Sequence, residues 1–155
     1  MGNNDDEKVP YICGPLTELS LEMREWVKPF YSQIADACGK IIGKRPFVPH
    51  EHYDPVEYPD FTPKEIDKAE RKQICEKTSI LIVVAVAPSW GGGIEAEMAN
   101  RSNVPIVILH HIDKIVSRLL LGNPSVVARI AYSSHKDALS MLKSEIAKQL
   151  LPKED

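Results

Sequence analysis

Apolar runs and helical apolar patterns alternate along this chain. A central strand is predicted over residues 79–87, where every position from Ile80 onward is apolar, as in parallel strands buried on both faces. Four further apolar stretches are predicted strands: residues 9–13, 45–48, 104–109 and 126–132. Because helical patterns separate them, the sequence predicts a doubly wound α/β domain of the flavodoxin- or Rossmann-like type. Its five-stranded parallel sheet would carry helices on both faces.

Capping signals mark several of the predicted helices. Thr62 precedes Pro63 and lies three residues before Glu65, which is a capping box with proline at the first helical position. Ser20 is a candidate N-cap for an earlier helix, and Pro29 inside that helix is expected to kink or divide it. The predicted helices cover residues 21–38, 62–77, 94–100, 112–121 and 134–151.

Length and charge restrict the classes of function. The 155 residues suit one domain, predicted over residues 9–151, and the acidic, polar residues 1–8 are expected to be a short disordered lead. The formal net charge of -3 offers no basic surface for nucleic acid. No apolar run reaches about 18 residues, so no membrane span is predicted.

The three cysteines, Cys13, Cys38 and Cys75, lie in apolar patterns. They are expected to be buried, reduced thiols, as most free cysteines are. No Cys-x-x-Cys pair occurs, so a zinc site is not indicated. The N-terminus has neither a signal peptide nor a transit peptide pattern, and a cytoplasmic location is expected.

A glycine-rich turn, Pro88-Ser89-Trp90-Gly-Gly-Gly93, follows the central strand and precedes a helical pattern. Consecutive glycines let backbone N–H groups approach an anion, and a helix N-terminus favours negative charge. Ser89 adds a hydroxyl, and Trp90 could equally stack on a base or cover the core. A connector without a ligand remains an alternative. Neither the dinucleotide fingerprint nor the P-loop lysine is present.

Glu95 follows the glycines and is expected in the first turn of that helix, where the helix field favours the ionised carboxylate. A carboxylate held ionised beside a sugar-phosphate pocket is a candidate nucleophile, although most glutamates at helix starts only satisfy the dipole. Glu97 points to another face and is expected to be exposed or at a subunit contact. His50 is expected to form a wall of the substrate site or to lie on the surface.

Four segments together resemble one protein family. They are Tyr11-Ile-Cys-Gly14, Phe47-Val-Pro-His50, Ser89-x-Gly-x-Gly-x-Glu95 and Leu121-Gly-Asn-Pro124. In this order they resemble the nucleoside 2-deoxyribosyltransferase superfamily, especially its 2'-deoxynucleoside 5'-phosphate N-hydrolase branch. The loop that carries Glu18 differs from the Gly- and Arg-rich loop of that branch, which weakens the match to a 5'-phosphate.

The resemblance implies roles for particular residues. Glu95 would be the nucleophile, Tyr11 would position it, and Ser89 would bind the 5'-phosphate or 5'-hydroxyl. The family has an acid on the helix before the central strand. Counting back from Glu95 reaches Arg71, so Asp67, one turn earlier, is predicted to be the catalytic acid, with Glu70 as an alternative. The positions expected to bind substrate are Cys13, Gly14, Pro15, His50, Ser89, Trp90, Gly91, Gly93 and Asn123.

The hypothesis that follows is cleavage or transfer of the N-glycosidic bond of (deoxy)nucleosides or nucleoside 5'-monophosphates, without metal or cofactor. A homo-oligomer, dimer or higher, is implied by the resemblance. One alternative is an inactive nucleotide-binding or sensing module on the same fold, which Arg71 in the place of the acid favours. A phosphoribohydrolase is less favoured because its Pro-Gly-Gly-x-Gly-Thr order is missing.

Overall fold

The computed structural model describes residues 8–153. The predicted disordered lead, residues 1–8, lies outside this range apart from Lys8. No helix within the range is long and apolar enough to cross a bilayer.

The sheet has four parallel strands in the order β1-β2-β3-β4. They are β1 (Val9–Cys13), β2 (Thr78–Val84), β3 (Ile106–His111) and β4 (Val126–Tyr132). The parallel α/β arrangement is as predicted, but the count of five strands is wrong. The missing strand, residues 45–48, is reduced to one bridge in which Phe47 pairs with Tyr11 beside β1. Pro46 and Pro49 flank that residue and have no N–H to extend the ladder.

Six helices connect and flank the strands. They are α1 (Leu21–Ile42), α2 (His50–Tyr53), α3 (Pro63–Lys77), α4 (Trp90–Arg101), α5 (Arg118–Leu121) and α6 (His135–Leu150). The capping box at the start of α3 is present as predicted. Only residues 118–121 of the helix predicted at 112–121 are helical.

Helix α1 runs without interruption through Pro29, contrary to the expectation that the helix is divided there. Pro29 cannot donate to the carbonyl of Glu25, one turn earlier. Both residues are exposed, so water can satisfy that carbonyl. The helix ends at Gly43, whose φ of 74° is the left-handed conformation that glycine adopts most easily.

Helix α4 begins at Trp90, four residues earlier than predicted. Ser89 is its N-cap, and the Ser89 hydroxyl oxygen accepts a hydrogen bond from the N–H of Gly92 at 3.1 Å. This cap satisfies a free donor of the first turn and outweighs the low helix propensity of the glycines. The glycines therefore form the first helical turn, and Glu95 lies in the second.

Two apolar clusters cover the two faces of the sheet. Helices α1 and α6 pack on one face, around Phe30 and Leu142. Helices α3 and α4 supply Ile74 and Ala99 to the other face. This arrangement confirms the prediction of helices on both faces. It also places α3 and α4 over the side chains of β1 that point to their face.

Candidate active site

Two side chains of β1 converge on one carboxylate of α4. Tyr11 and Cys13 are two residues apart, so they point to the same face of the sheet. The hydroxyl of Tyr11 donates to Oε1 of Glu95 at 2.6 Å, and the thiol of Cys13 lies 2.8 Å from Oε2. Glu95 is only 9% exposed. Cys13 is a buried free thiol, as predicted. Its bond and that of Tyr11 give each oxygen of the buried Glu95 carboxylate a donor, as a buried charged group requires.

Burial sets the protonation chemistry of this cluster. It raises the pKa of Glu95, although hydrogen bonds from Cys13 and Tyr11 act in the opposite direction. This differs from the expectation that the helix field favours ionised Glu95, because Glu95 lies beyond the first turn, where that field acts. Burial and the charge of Glu95 raise the pKa of Tyr11 and of Cys13 well above the usual values. Both residues are therefore protonated donors at neutral pH.

Glu70 of α3 is the second carboxyl group of the site. Burial, followed by the charge of Glu95, raises its pKa to about 8. The nearby Tyr11 hydroxyl acts in the opposite direction and lowers this pKa, but less than burial raises it. That hydroxyl has one proton, which it gives to Glu95 at 2.6 Å. The raised pKa keeps Glu70 protonated at neutral pH.

Asp67 does not reach the site, although the sequence points to it as the acid. Its side chain is 55% exposed and forms an ion pair with Arg71 at 2.8 Å. Glu70 faces inward because it lies one turn from both Ile66 and Ile74 on the apolar stripe of α3. The helical spacing of that stripe is the sequence signal that distinguishes Glu70 from Asp67. Arg71 is 54% exposed, so its charge does not occupy the position of the acid.

A cleft of about 630 Å³ opens at the carboxyl ends of β1 and β2. Its walls are the turn after β1, the start of α4 and residues 114–124. Six of the predicted substrate positions line it: Cys13, Gly14, Pro15, Ser89, Gly93 and Asn123. The volume falls within the range of small-molecule sites.

The far wall of this cleft was not predicted as part of the site. It includes Lys114, Ile115 and Leu119. From the sequence, the apolar run at residues 116–121 could form a subunit contact or equally cover the sheet. The exposed fractions of Ile115 and Leu119, 100% and 89%, argue against a role in covering the sheet.

The turn after β1 is held by Tyr31 of α1. The Tyr31 hydroxyl donates to the carbonyl of Pro15 at 2.7 Å. A Cβ at Gly14 would lie 2.5 Å from the Tyr31 ring, so only glycine fits there. His50 lies against the other side of Tyr31, with ring centroids 6.1 Å apart, and does not line the cleft.

Two of the remaining predicted positions lie outside the cleft. Trp90 is 87% exposed, so it does not cover the core. Gly91 is exposed in the first turn of α4. Glu97, expected to be exposed, pairs with Arg101 at 3.2 Å on the outer side of α4 and also touches the cleft.

The Ser89 hydroxyl has a partner that the sequence did not predict. It donates to Oε1 of Glu18 at 3.1 Å, across 71 positions of sequence. Glu18 follows the turn after β1 and is exposed. The loop after β1 thus places a carboxylate at the N-terminal end of α4.

Comparisons with known proteins agree with this architecture. No family model matches the chain. A protein of Methanosarcina mazei is 31% identical over 86 residues, which cover 48% of this chain and 53% of that protein. A protein of Syntrophotalea carbinolica is 31% identical over 78 residues, which cover 49% of this chain and 54% of that protein. Both carry the provisional name 2'-deoxynucleoside 5'-phosphate N-hydrolase 1. The chain spans about half the length of the curated relatives it matches.

One solved structure, the CMP N-glycosidase BcmB of Clostridium botulinum, superposes with a TM-score of 0.66 at 18% identity. The match covers 89% of this chain and 99% of that chain, and it concerns the fold. The resemblance in the sequence is thereby confirmed: this chain is similar to the N-hydrolase-like branch of the nucleoside 2-deoxyribosyltransferase superfamily.

Proposed function

We propose that this protein cleaves or transfers the N-glycosidic bond of (deoxy)nucleosides or nucleoside 5'-monophosphates, with Glu95 as the nucleophile. The observation that carries the proposal is the pair of hydrogen bonds from Tyr11 and Cys13 to the two oxygens of Glu95, at 2.6 and 2.8 Å. Glu95 does not itself line the cleft, but its partner Cys13 does, so the fixed carboxylate lies one side chain behind the cleft wall. The names of the two curated relatives and of the solved structure support the same chemistry.

The proposed reaction has two displacements. In the first, an oxygen of ionised Glu95 forms a bond to the anomeric carbon while the bond from that carbon to the base nitrogen breaks. The transition state has oxocarbenium character, which the negative charge of Glu95 stabilises. In the second, water or another base bonds to the anomeric carbon as the bond from that carbon to Glu95 breaks, and the attacking group gives its proton to Glu70, which restores both carboxyl groups. Water gives hydrolysis, and a base gives transfer.

Glu70 is the proposed proton donor to the leaving base. Its pKa of about 8 keeps it protonated at neutral pH, which suits a general acid. Tyr11 holds the Glu95 carboxylate by its hydrogen bond and is near enough to Glu70 to lower its pKa. The two carboxyl groups then have different roles: Glu95 is ionised and acts as the nucleophile, and Glu70 is protonated and acts as the acid, as in other pairs of neighbouring carboxyl groups. Asp67 has no part in this mechanism.

The inactive binding module is the weaker hypothesis. Its main support was Arg71 in the expected position of the acid. Arg71 points away from the cleft and pairs with Asp67, while Glu70 supplies a carboxyl group beside Tyr11. Arg71 therefore gives the inactive module no support.

A base-release assay tests the proposal. The protein is incubated with ribo- and deoxyribonucleosides and their 5'-monophosphates, and free base is measured by chromatography. Release that Glu95→Gln abolishes is the expected result, and an added second base distinguishes transfer from hydrolysis. Release that persists in Glu95→Gln contradicts the nucleophile. Binding without release by the wild-type protein favours the sensing module.

The proposal includes a homo-oligomer in the cytoplasm. Ile115 and Leu119 at the cleft are 100% and 89% exposed, and burial of such apolar surface in a second copy is favourable by about 25 cal/mol per Å². Sedimentation velocity should give a dimer or larger, and Leu119→Glu should dissociate it. Leu21→Glu, at another exposed leucine, is the matched control. A wild-type monomer at micromolar concentration would contradict this part.

A further inference from the structure

The N-terminal end of α4 already has an anion from this chain. The Ser89 hydroxyl accepts from the N–H of Gly92 at 3.1 Å and gives its single proton to Glu18 at 3.1 Å. An anion at this position also benefits from the positive end of the helix dipole. Glu18 therefore takes the interaction with Ser89 that a substrate phosphate would need.

Glu18 also acts on the rest of the site. The pKa of Glu95 is raised mainly by burial, and the charge of Glu18 adds to the same effect. Glu18 raises the pKa of Tyr31 too, after burial and other neighbouring groups. Its carboxylate is thus close enough to influence both the proposed nucleophile and the turn after β1.

Within residues 8–153, the charged side chains that line the cleft are one acid, Glu97, and one cation, Lys114. Glu18 and Glu95 do not line it, but each bonds a residue that does, Ser89 and Cys13 respectively. A phosphate dianion at Ser89 would face the Glu18 carboxylate, and the two like charges would repel each other unless one is moved or neutralised.

We propose that Glu18 selects substrates with a free 5'-hydroxyl and rejects 5'-phosphates, so that the substrates are nucleosides. This inference rests on the proposed function and restricts its substrates from nucleosides and nucleoside 5'-monophosphates to nucleosides alone. A 5'-hydroxyl can donate to the Glu18 carboxylate, which can accept from Ser89 at the same time. It meets no charge repulsion there. The names of the curated relatives refer to 5'-phosphates, so this chain would differ from them in the group that its loop after β1 recognises.

The test compares one nucleoside with its own 5'-monophosphate, for each base in both sugar series. The wild-type kcat/KM for base release should favour the nucleoside by about tenfold or more. Glu18→Gln keeps the size and a hydrogen bond to Ser89 but removes the charge. It should raise kcat/KM for the monophosphate by about tenfold and change that for the nucleoside by only a few fold. Glu22→Gln removes an equal charge from the start of α1 and should leave the ratio unchanged.

Calorimetric binding of the same pairs to Glu95→Gln separates this proposal from the proposed function. Suppose that no base is released, but that nucleosides bind more tightly than their 5'-monophosphates and Glu18→Gln reverses this binding preference. The proposed reaction would then be contradicted, and the selection by Glu18 would be supported. If wild type prefers the monophosphate, the inference is overturned. An equal effect of Glu18→Gln on both members of a pair overturns it as well, because the role of Glu18 would then be structural.

Discussion

The Tyr11 hydroxyl and Oε1 of Glu95 are 2.6 Å apart, although 84 positions of sequence separate them. The parallel pairing of β1 with β2 brings them together, because α4 begins soon after β2 ends. The Phe47 ring stacks on Tyr11 with centroids 5.4 Å apart and restricts its ring. The hydrogen bond is thus set by the sheet itself, and the following predictions depend on it.

Glu95→Gln should reduce base release by at least about 10³-fold, since it removes the proposed nucleophile. The amide oxygen can still accept from Tyr11 or Cys13, so the melting temperature should stay the same or rise. Steady-state kinetics and thermal melts measure the two effects. Arg101→Gln, at a side chain of α4 that is 81% exposed and does not line the cleft, is the control and should retain activity. A similar loss of activity in both variants would mean that the substitutions act by disturbing the packing of α4 and not by removing the nucleophile.

Glu70→Gln should reduce kcat by about 10²- to 10⁴-fold for bases that need a proton on departure. In the wild type, kcat should fall as the pH rises through about 8, where Glu70 loses its proton. The variant should lack that alkaline limb. Asp67→Asn, one turn earlier on the exposed face of α3, should keep both rate and profile. Loss of activity in Asp67→Asn alone would restore Asp67 as the acid.

Glu70 should also make stability depend on pH. Its pKa rises from 4.5 in the unfolded chain to about 8 in the fold. Between these values the folded state holds a proton that the unfolded state has lost, so the free energy of unfolding falls as the pH rises. Thermal melts from pH 5 to 9 should show this slope, and Glu70→Gln should flatten it. An identical slope in the variant would mean that Glu70 is not the group responsible.

The sequence predicted the local elements well and the long-range ones less well. The capping box of α3 and the bounds of β4 could be predicted because each depends on neighbouring residues. The strand at 45–48 could not, because the two prolines that limit it matter only once Phe47 lies beside β1. The start of α4 was missed because glycines suggest a turn, and the cap at Ser89 outweighs them.

The candidate site was predicted in the same uneven way. The motif identified Glu95 and Tyr11 by their positions in the sequence. The choice between Asp67 and Glu70 needed the face of α3 that meets the sheet. Counting residues back from Glu95 cannot determine that face, whereas the apolar spacing of α3 does. The contact between Ser89 and Glu18 depends on the path of a loop, for which the sequence has no periodic signal.

Gly14→Ala should destabilise the protein by about 1–3 kcal/mol, since the new methyl group meets the Tyr31 ring. The turn after β1 would shift, and activity should fall with it. Gly93→Ala is the matched control for stability, because nothing lies within 4 Å of its added Cβ. In α4 that change should stabilise by about 0.5–1 kcal/mol. Urea unfolding of both variants provides the comparison, and equal destabilisation would contradict the clash.

Lys28→Met should destabilise by about 3–5 kcal/mol because it leaves Asp54 buried without its cation. The Lys28 ammonium lies 2.5 Å from the Asp54 carboxylate, whose side chain is 1% exposed. Burial pushes the pKa of Asp54 up, but Lys28 and two backbone N–H groups lower it overall. Its contribution to stability is therefore present above pH 3.8 and lost at lower pH.

Arg71→Met breaks an exposed pair with Asp67 and is the control for Lys28→Met. It should cost less than about 1 kcal/mol. Urea unfolding at pH 7 measures both variants. A similar loss in the free energy of unfolding for both variants would mean that the burial of Asp54 does not strengthen its ion pair with Lys28.

The early start of α4 fixes the distance between Ser89 and Glu95. Ser89 caps the helix and Glu95 lies in its second turn, so the two are about 9 Å apart along the helix axis at 1.5 Å per residue. The Glu95 side chain leans back toward the helix N-terminus, as all helical side chains do, which shortens the span. In the proposed mechanism, the distance between the groups that would contact the two ends of the sugar is therefore set by α4. Evolution toward a longer or shorter substrate would have to act on the loop that carries Glu18.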